Sequence, residues 1–164
     1  MIIRAAGLSD LLIVLNDLRP EDEAEYRAVL GDTPKGQAAS RLYLTRPYCW
    51  TAHTKDGPAA FVAAYPVFPH LCGISMAATP DWPGVALGLT KWIRKTLIPD
   101  MWRRGFRRAE ARMADGHPTA GPWMEALGAV HEAEMPLAGR NGETMHLYAW
   151  RDTDPWWDEL KEGS

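Results

Sequence analysis

The sequence predicts an α+β protein in which a mostly antiparallel central sheet is flanked by helices. Apolar residues recur at helical spacing in residues 9–18 and 85–104, whereas several shorter segments alternate between apolar and polar residues as strands do. Asp56-Gly57 and Asn141-Gly142 are two-residue hairpin signals, and Asn-Gly is the stronger of the two. Together these observations predict a sheet whose strands come mainly from hairpins.

The first third of the chain predicts one strand and three helices. We expect a short strand at Ile2–Ala5, followed by a helix that Ser9 caps. The apolar face of that helix consists of Leu11, Leu12, Leu15 and Leu18. Pro20 begins a second helix, in which residues 21–23 are acidic and complement the helix dipole, and Gly31 ends it. Lys35–Leu44 is predicted to be a third, short helix.

The middle of the chain predicts a three-stranded meander and then the longest helix. The strands are expected at Cys49–Thr54, Ala59–Val67 and Gly73–Thr79. Val85–Arg104 follows, and Leu89, Ile93, Leu97 and Met101 form the apolar face of this helix. Pro99 lies inside the segment, so we expect it to kink or end the helix.

The last third predicts a strand, a short helix and a closing hairpin. Phe106–Met113 alternates as a strand, and His117–Leu127 has the pattern of an amphipathic helix. Val130–Leu137 and Thr144–Arg151 are expected to pair around Asn141-Gly142. A final helical turn is expected at 154–160. Residues 1–151 are therefore predicted to form a single domain, and residues 152–164 a tail.

Composition excludes several classes of function. The net charge of −3 does not predict the basic surface that nucleic-acid binding requires. No apolar run is long enough to cross a membrane. Arginines cluster at 103–108, where we predict a solvated helix end and strand edge, with a phosphate or partner site as the alternative. The five histidines lack ligand spacing, so no metal site is predicted. Cys49 and Cys72 follow no evident leader segment and are expected to be buried thiols in a reducing compartment.

The turn Pro80-Asp81-Trp82-Pro83-Gly84-Val85-Ala86-Leu87-Gly88 opens the long helix. It resembles the Pro-Asp-Tyr-Arg-Gly-Arg-Gly-Ile-Gly turn of the Gcn5-related N-acetyltransferase (GNAT) family, whose backbone N–H groups hold the pyrophosphate of acetyl-CoA. Pro83 and Val85 replace arginines, and Pro83 also removes an N–H donor. The resemblance implies acetyl-CoA contacts at Ala77, Ala78, Gly84, Val85, Ala86 and Gly88. A plain strand-to-helix turn is the alternative.

A second motif, His117–Ala129, resembles the family pattern Asn-x-x-Ala-x-x-Leu-Tyr-Glu-Lys-Leu-Gly-Phe. Met124 falls on the tyrosine that commonly returns a proton to the departing CoA thiolate, and a thioether has no proton to give. The catalytic residues are therefore unknown from the sequence. Asp81, His117 and Glu110 are candidate bases, although each is also explained as a cap, a turn residue or an exposed side chain.

A narrower resemblance points to the acetyltransferase-like virion proteins of short-tailed bacteriophages, of the internal virion protein A type. It is carried by Arg4-Ala5-Ala6, by residues 108–112, by the turn Trp123–Gly128 without the tyrosine, and by the hairpin Glu134–Tyr148. It implies a structural or interaction protein of the virion core or head-tail region, without catalysis and without a cofactor. Its partners would be other virion proteins or further copies of the chain.

Two functional hypotheses follow. The preferred one is the virion component, made in the bacterial cytoplasm. It also draws on the eight tryptophans, of which Trp156 and Trp157 are expected to anchor a partner or to pack on their own domain. The alternative is a cytoplasmic acetyl-CoA-dependent N-acetyltransferase that acts on a small amine or a protein amine.

Overall fold

The computed structural model describes residues 1–45 and 48–155. They contain one seven-stranded sheet in the order β1-β2-β3-β4-β5-β7-β6. The strands are β1 (Ile2–Ala5), β2 (Cys49–His53), β3 (Pro58–Phe68), β4 (Leu71–Ala78), β5 (Arg108–Ala114), β6 (Val130–Met135) and β7 (Met145–Arg151). Every pairing is antiparallel except that of β4 with β5. The predicted α+β class is confirmed.

Six helices accompany the sheet in the described part of the chain. They are α1 (Leu8–Asn16), α2 (Pro20–Leu30), α3 (Lys35–Leu44), α4 (Ala86–Trp92), α5 (Ile98–Arg103) and α6 (Ala120–Ala126). A 3-10 turn, Trp82–Gly84, precedes α4. The expected cap at Ser9 is wrong, because α1 begins at Leu8 and Gly7 is the N-cap residue.

The long helix passes through Pro99 instead of ending there. A π-helical turn, Ile93–Leu97, joins α4 to α5, and Pro99 lies in the first turn of α5. Proline cannot donate an N–H and its ring crowds the carbonyl four residues earlier, so the wider turn just before it relieves both problems. The predicted position of a helix distortion is therefore confirmed. The alternative prediction, that the helix ends at Pro99, is wrong.

The two faces of the sheet carry different helices because side chains alternate along each strand. Phe61, Ala63 and Ala77 pack with α1–α3 in one apolar cluster. Val62 and Ala64 pack on the other face, in the cluster that contains the long helix and α6. Short side chains fill much of β3 and β4, which brings the helices close to the sheet.

The cysteines and tryptophans pack inside the protein. Cys49 and Cys72 are free and fully buried, and burial raises their thiol pKa values to about 11 and about 12. The prediction that both thiols are buried is confirmed. The tryptophans at 50, 82, 92, 102, 123 and 150 all contribute to the cluster beneath the long helix. Trp156 and Trp157 lie outside the described residues, so their predicted partner role stays a prediction.

Within the described residues, no helix is both long and apolar enough to cross a bilayer. The arginines at 103, 104, 107 and 108 all carry ion pairs with nearby carboxylates, namely those of Asp100, Asp152, Glu110 and Glu132. This pairing agrees with the prediction of a solvated helix end and strand edge.

Leu89 and Leu87 provide a matched test of this packing. The side chain of Leu89 is 1% exposed and that of Leu87 is 69% exposed, although both belong to α4. Leu89→Ala should lower the free energy of unfolding by about 2–5 kcal/mol, because it removes buried methyl groups and leaves a cavity. Leu87→Ala should change it by about 0.5 kcal/mol or less. Urea denaturation measures both, and equal losses would contradict the assigned orientation of α4.

Candidate functional site

The central feature of the sheet is the separation of β4 from β5. The two strands pair only where Leu71–Gly73 lies opposite Arg108–Glu110. Beyond that point β4 stays paired with β3 as far as Ala78, and β5 stays paired with β7 as far as Ala114. The strands therefore diverge, and the edges that face the gap offer backbone groups that no strand satisfies.

A cavity of about 1080 Å³ extends from this gap. Its lining includes Gly73, Ser75 and Ala77 on β4, and Glu110 and Arg112 on β5. α2, α3, the long helix and α6 contribute further walls. A cavity of this volume at a strand divergence is large enough for a drug-sized or larger ligand.

Gly73 marks the point of divergence and has a steric reason to be glycine. A Cβ atom there would overlap the ring of Tyr65, which lies across the neighbouring strand. The Tyr65 side chain therefore rests on the backbone of β4 at the entrance to the gap, and it lines the same cavity.

Two tryptophans connect the long helix to α6 beside the cavity. The rings of Trp82 and Trp123 meet edge to face with centroids 5.3 Å apart. Nε1 of Trp123 donates a hydrogen bond of 2.8 Å to Oγ1 of Thr90 on α4. The guanidinium of Arg19 lies over the Trp82 ring at 5.2 Å, which links this pair to α2. The turn at residues 80–88 is thus lined by aromatic side chains on its cavity side.

The six positions implied for acetyl-CoA fall into different environments. Ala77 and Ala86 line the main cavity. Gly84 lines a smaller pocket with Thr54, and a Cβ at Gly88 would collide with the side chain of Met1. Val85 is in the core with 1% exposure, and the buried Ala78 accepts a hydrogen bond from the Arg19 backbone N–H. The structure brings together Ala77 and Ala86, but not the other four.

A buried polar cluster lies in the same cavity, where α2 meets the end of β5. It consists of Asp22, Glu25 and His117, and Nε2 of His117 is 3.8 Å from a carboxylate oxygen of each acid. Arg19 forms an ion pair with Asp22. The His117 side chain is 2% exposed. These four residues come from the start of α2 and from the loop after β5.

The hydrogen bonds of His117 fix which nitrogen carries its proton. Its Nδ1 accepts from the backbone N–H groups of Ala120, at 3.1 Å, and Thr119, at 3.4 Å. The neutral ring must therefore hold its proton on Nε2, which faces the two carboxylates. The three side chains have the composition of a metal site. However, a metal-binding histidine donates through its other nitrogen, and here that nitrogen accepts.

Burial controls the charge of Glu25. Loss of solvation raises the pKa of its carboxyl to about 7, and this effect outweighs the opposing attraction of His117. Asp22 raises it further, while Arg19 and a hydrogen bond from the Ala114 backbone lower it. A carboxyl that titrates near neutral pH in a cavity can take up and release a proton under ordinary conditions.

The three candidate bases that the sequence predicted lie in different environments. His117 belongs to the buried cluster, and Glu110 lines the cavity in an ion pair with Arg108. Asp81 is exposed and precedes the 3-10 turn, where its carbonyl accepts from the Gly84 N–H. Met124 is 7% exposed and packs in the core, so it supplies no proton.

Glu25 and Asp22 were not identified as site residues from the sequence. Their spacing of three residues on a helix puts them on one face. However, Asp22 is in the first turn, where the helix dipole explains an acid equally well. Only the topology brings this face against His117, which is more than ninety residues away in the chain.

No protein-family model and no curated protein sequence matches the chain. Solved structures do match. The ribosomal-protein-alanine N-acetyltransferase of Brucella melitensis has a TM-score of 0.72 and 15% identity, with 92% of this chain and 99% of that chain covered. Ard1 of Thermoplasma volcanium has a TM-score of 0.71 and 10% identity, with 92% and 96% covered.

A third match is yncA of Salmonella typhimurium, a putative acetyltransferase solved with its cofactor acetyl-CoA. Its TM-score is 0.68 and its identity 15%, with 92% of this chain and 93% of that chain covered. The chain therefore has the GNAT fold that the two sequence motifs implied. At these identities the likeness establishes the fold alone.

The preferred functional hypothesis from the sequence is wrong. The solved structures that match over nearly the whole chain include named acetyltransferases, and nothing supports a resemblance to bacteriophage virion proteins. The hypothesis relied on Pro83 and Met124, which alter side chains of the motifs. Neither change closes the gap between β4 and β5, because backbone pairing forms it.

The raised pKa of Glu25 predicts a pH-dependent stability. Its carboxyl has a reference pKa of 4.5 and titrates at about 7 in the fold. Between these values the folded state binds more protons than the unfolded state, so the free energy of unfolding should fall as pH rises from 4.5 to 7. Above this window it should level off.

Glu25→Gln should remove this contribution, which is on the order of 3 kcal/mol at most. Urea denaturation of the parent protein and the variant at pH 5 and pH 8 measures the effect. The parent should lose more stability than the variant between the two pH values. An identical loss in both proteins would contradict the assignment of a raised pKa to Glu25.

Proposed function

We propose that this protein is an acetyl-CoA-dependent N-acetyltransferase. The observation that carries the proposal is the divergence of β4 and β5 over a cavity of about 1080 Å³. A strand edge without a partner can satisfy the amide groups of an extended ligand, as a further strand would. Acetyl-CoA contains such an extended amide arm, and its thioester supplies the acetyl group.

Several groups of the chain suit this co-substrate. The β4 residues from Ile74 to Ala78 present the free edge, and Ala77 and Ala86 leave room with their short side chains. The first i→i−4 hydrogen bond at the start of α4 runs from Leu89 to Val85. The N–H groups of residues 86–88 therefore precede the helix ladder, and such groups suit a phosphate.

The reaction forms one bond and breaks one. The amine nitrogen of the acceptor attacks the thioester carbonyl, a C–N bond forms and the C–S bond breaks. The amine loses one proton and the CoA thiolate gains one, so the transfer is balanced without an oxidant or reductant. With Met124 in place of tyrosine, solvent water supplies the proton to the thiolate.

We assign the role of general base to Glu25. Its carboxyl lines the cavity and its pKa of about 7 suits proton removal at neutral pH. His117, fixed by two backbone N–H donors, is a positioning residue whose Nε2 proton faces Glu25. Because acetyl-CoA is the co-substrate, we place the protein in the cytoplasm.

Acetyl-CoA binding is testable without an acceptor. A ligand that binds only the folded state raises the melting temperature, and saturation at one hundred times Kd adds about 2.7 kcal/mol of stability. Ala86→Trp should abolish the shift by filling the cavity wall at the start of α4. Ile13→Trp, at an exposed position on α1 that does not line the cavity, is the control and should retain it. Absence of a shift in the parent protein at millimolar acetyl-CoA would overturn the proposal.

The role of Glu25 predicts a specific pH profile. The kcat/KM of acetyl transfer should show an inflection near pH 7, below which protonation of Glu25 removes the base, with a further rise at higher pH as the acceptor amine deprotonates. Glu25→Gln should lower kcat/KM by about 10²–10⁴ and remove the inflection.

Glu134→Gln, on the exposed side of β6, is the control and should retain full activity. The acetyl-CoA-induced thermal shift should persist in Glu25→Gln, which separates loss of chemistry from loss of binding. An inflection near pH 7 that survives in Glu25→Gln would contradict its role as base.

A further inference from the structure

Three arginines border the α2 side of the cavity. Arg41 lies on α3, Arg112 on β5 and Arg140 in the connection between β6 and β7, and all three line the cavity. None is within salt-bridge distance of a carboxylate among residues 1–45 and 48–155. Each is exposed, so its guanidinium is accessible from solution.

Their common side follows from the packing. Arg112 alternates with Ala111, which packs under the long helix, so Arg112 points to the opposite face of the sheet. Ala114, two residues further on, packs against Ala28 of α2 on that opposite face. The Arg140 backbone N–H donates a hydrogen bond of 2.7 Å to the Ala28 carbonyl. This bond fixes the β6–β7 connection over the end of α2.

Arg41 approaches α2 from the other side. Its charge acts on Tyr26 of α2, where it opposes the rise in the phenol pKa that burial causes. The three guanidinium groups thus belong to three separate elements, all of which border α2. The cavity side opposite the long helix is therefore rimmed by three guanidinium groups that have no carboxylate partner among the described residues.

The acids of the same cavity do not neutralise this charge. Asp22 is paired with Arg19, and Glu110 with Arg108. Glu25 lies 3.8 Å from Nε2 of His117, and burial favours its neutral form. The protein as a whole has a net charge of −3, so an excess of arginine here is opposite to its overall charge. Elsewhere the arginines at 103, 104 and 107 all form ion pairs with carboxylates.

We propose that the acceptor is a small amine that also carries carboxylate groups, such as an acidic amino acid. The inference rests on the proposed acetyl transfer. The amine of the acceptor would face Glu25 and His117, while its carboxylates would meet Arg41, Arg112 and Arg140. Guanidinium groups bind carboxylates through paired, charge-assisted hydrogen bonds, which gives them both strength and direction.

An acceptor panel tests this proposal. Acetyl transfer is measured with glutamate, with glutamine amide, which has no carboxylate, with the polyamine spermidine, and with a peptide that begins with glutamate. Glutamate should have the highest kcat/KM, at least about tenfold above glutamine amide, because hydrogen bonds between charged groups are strong. A preference for spermidine, for the peptide, or for none of the four would overturn the proposal.

Arginine variants identify the residues responsible. In Arg41→Gln, Arg112→Gln and Arg140→Gln, the ratio of kcat/KM for glutamate to that for glutamine amide should fall at least about fivefold, mainly through a higher KM for glutamate. Arg103→Gln, which lies on α5 and is 72% exposed at its side chain, should leave the ratio unchanged. An unchanged ratio in all three cavity variants would refute the assignment.

The thermal shift with acetyl-CoA separates the two proposals. If acetyl-CoA does not bind the parent protein, the proposed acetyltransferase function fails. If acetyl-CoA binds and an amine without carboxylates is acetylated instead of glutamate, the function stands and the anionic acceptor is refuted.

Discussion

The site depends on one constraint, the short parallel contact between β4 and β5. Three residues on each strand hold them together, and from there each strand follows its antiparallel neighbour away from the other. The opening is therefore a property of backbone pairing, and it survives wide changes in side chains. Because Gly73 has no side chain, the Tyr65 ring can pack against the backbone at the point where the two strands diverge. The Arg19 backbone N–H, bonded to the Ala78 carbonyl, ties the start of α2 to the end of β4.

That attachment determines the electrostatics of the cavity. Because α2 begins at β4, its first two turns bring Asp22 and Glu25 to the loop after β5, where His117 is held by two backbone N–H groups. Burial then favours the neutral form of Glu25, while Arg19 compensates Asp22. The same cavity thus has a group that can accept a proton beside α2 and an excess of positive charge at its rim. This combination is suited to an acceptor with an amine at one end and acid groups at the other.

The order of the strands and helices in residues 1–45 and 48–155 was predictable from the sequence, because periodicity and turn signals act locally. The helical turn expected at 154–160 lies mostly outside the described residues. Boundaries differ by a few residues, as at Ser9, where a backbone N-cap at Gly7 replaced a side-chain cap. The continuation through Pro99 was not predictable, since a π-helical turn is a response to packing. Of the site, His117 was recognised as a candidate. Asp22, Glu25 and the three arginines were not, because their roles arise only when α2, α3, β5 and the β6–β7 connection meet. The functional hypothesis failed because it weighed the side chains of the motifs above the backbone geometry.

The central claim is that acetyl-CoA binds in the gap between β4 and β5. The most direct measurement is the change in backbone amide chemical shifts of ¹⁵N-labelled protein on titration with acetyl-CoA. We predict saturable shifts at residues 74–78 of β4 and at residues 86–88 at the start of α4, with little change along β1 at the far edge of the sheet. An unchanged spectrum at millimolar acetyl-CoA, or shifts confined to residues away from this gap, would contradict the account.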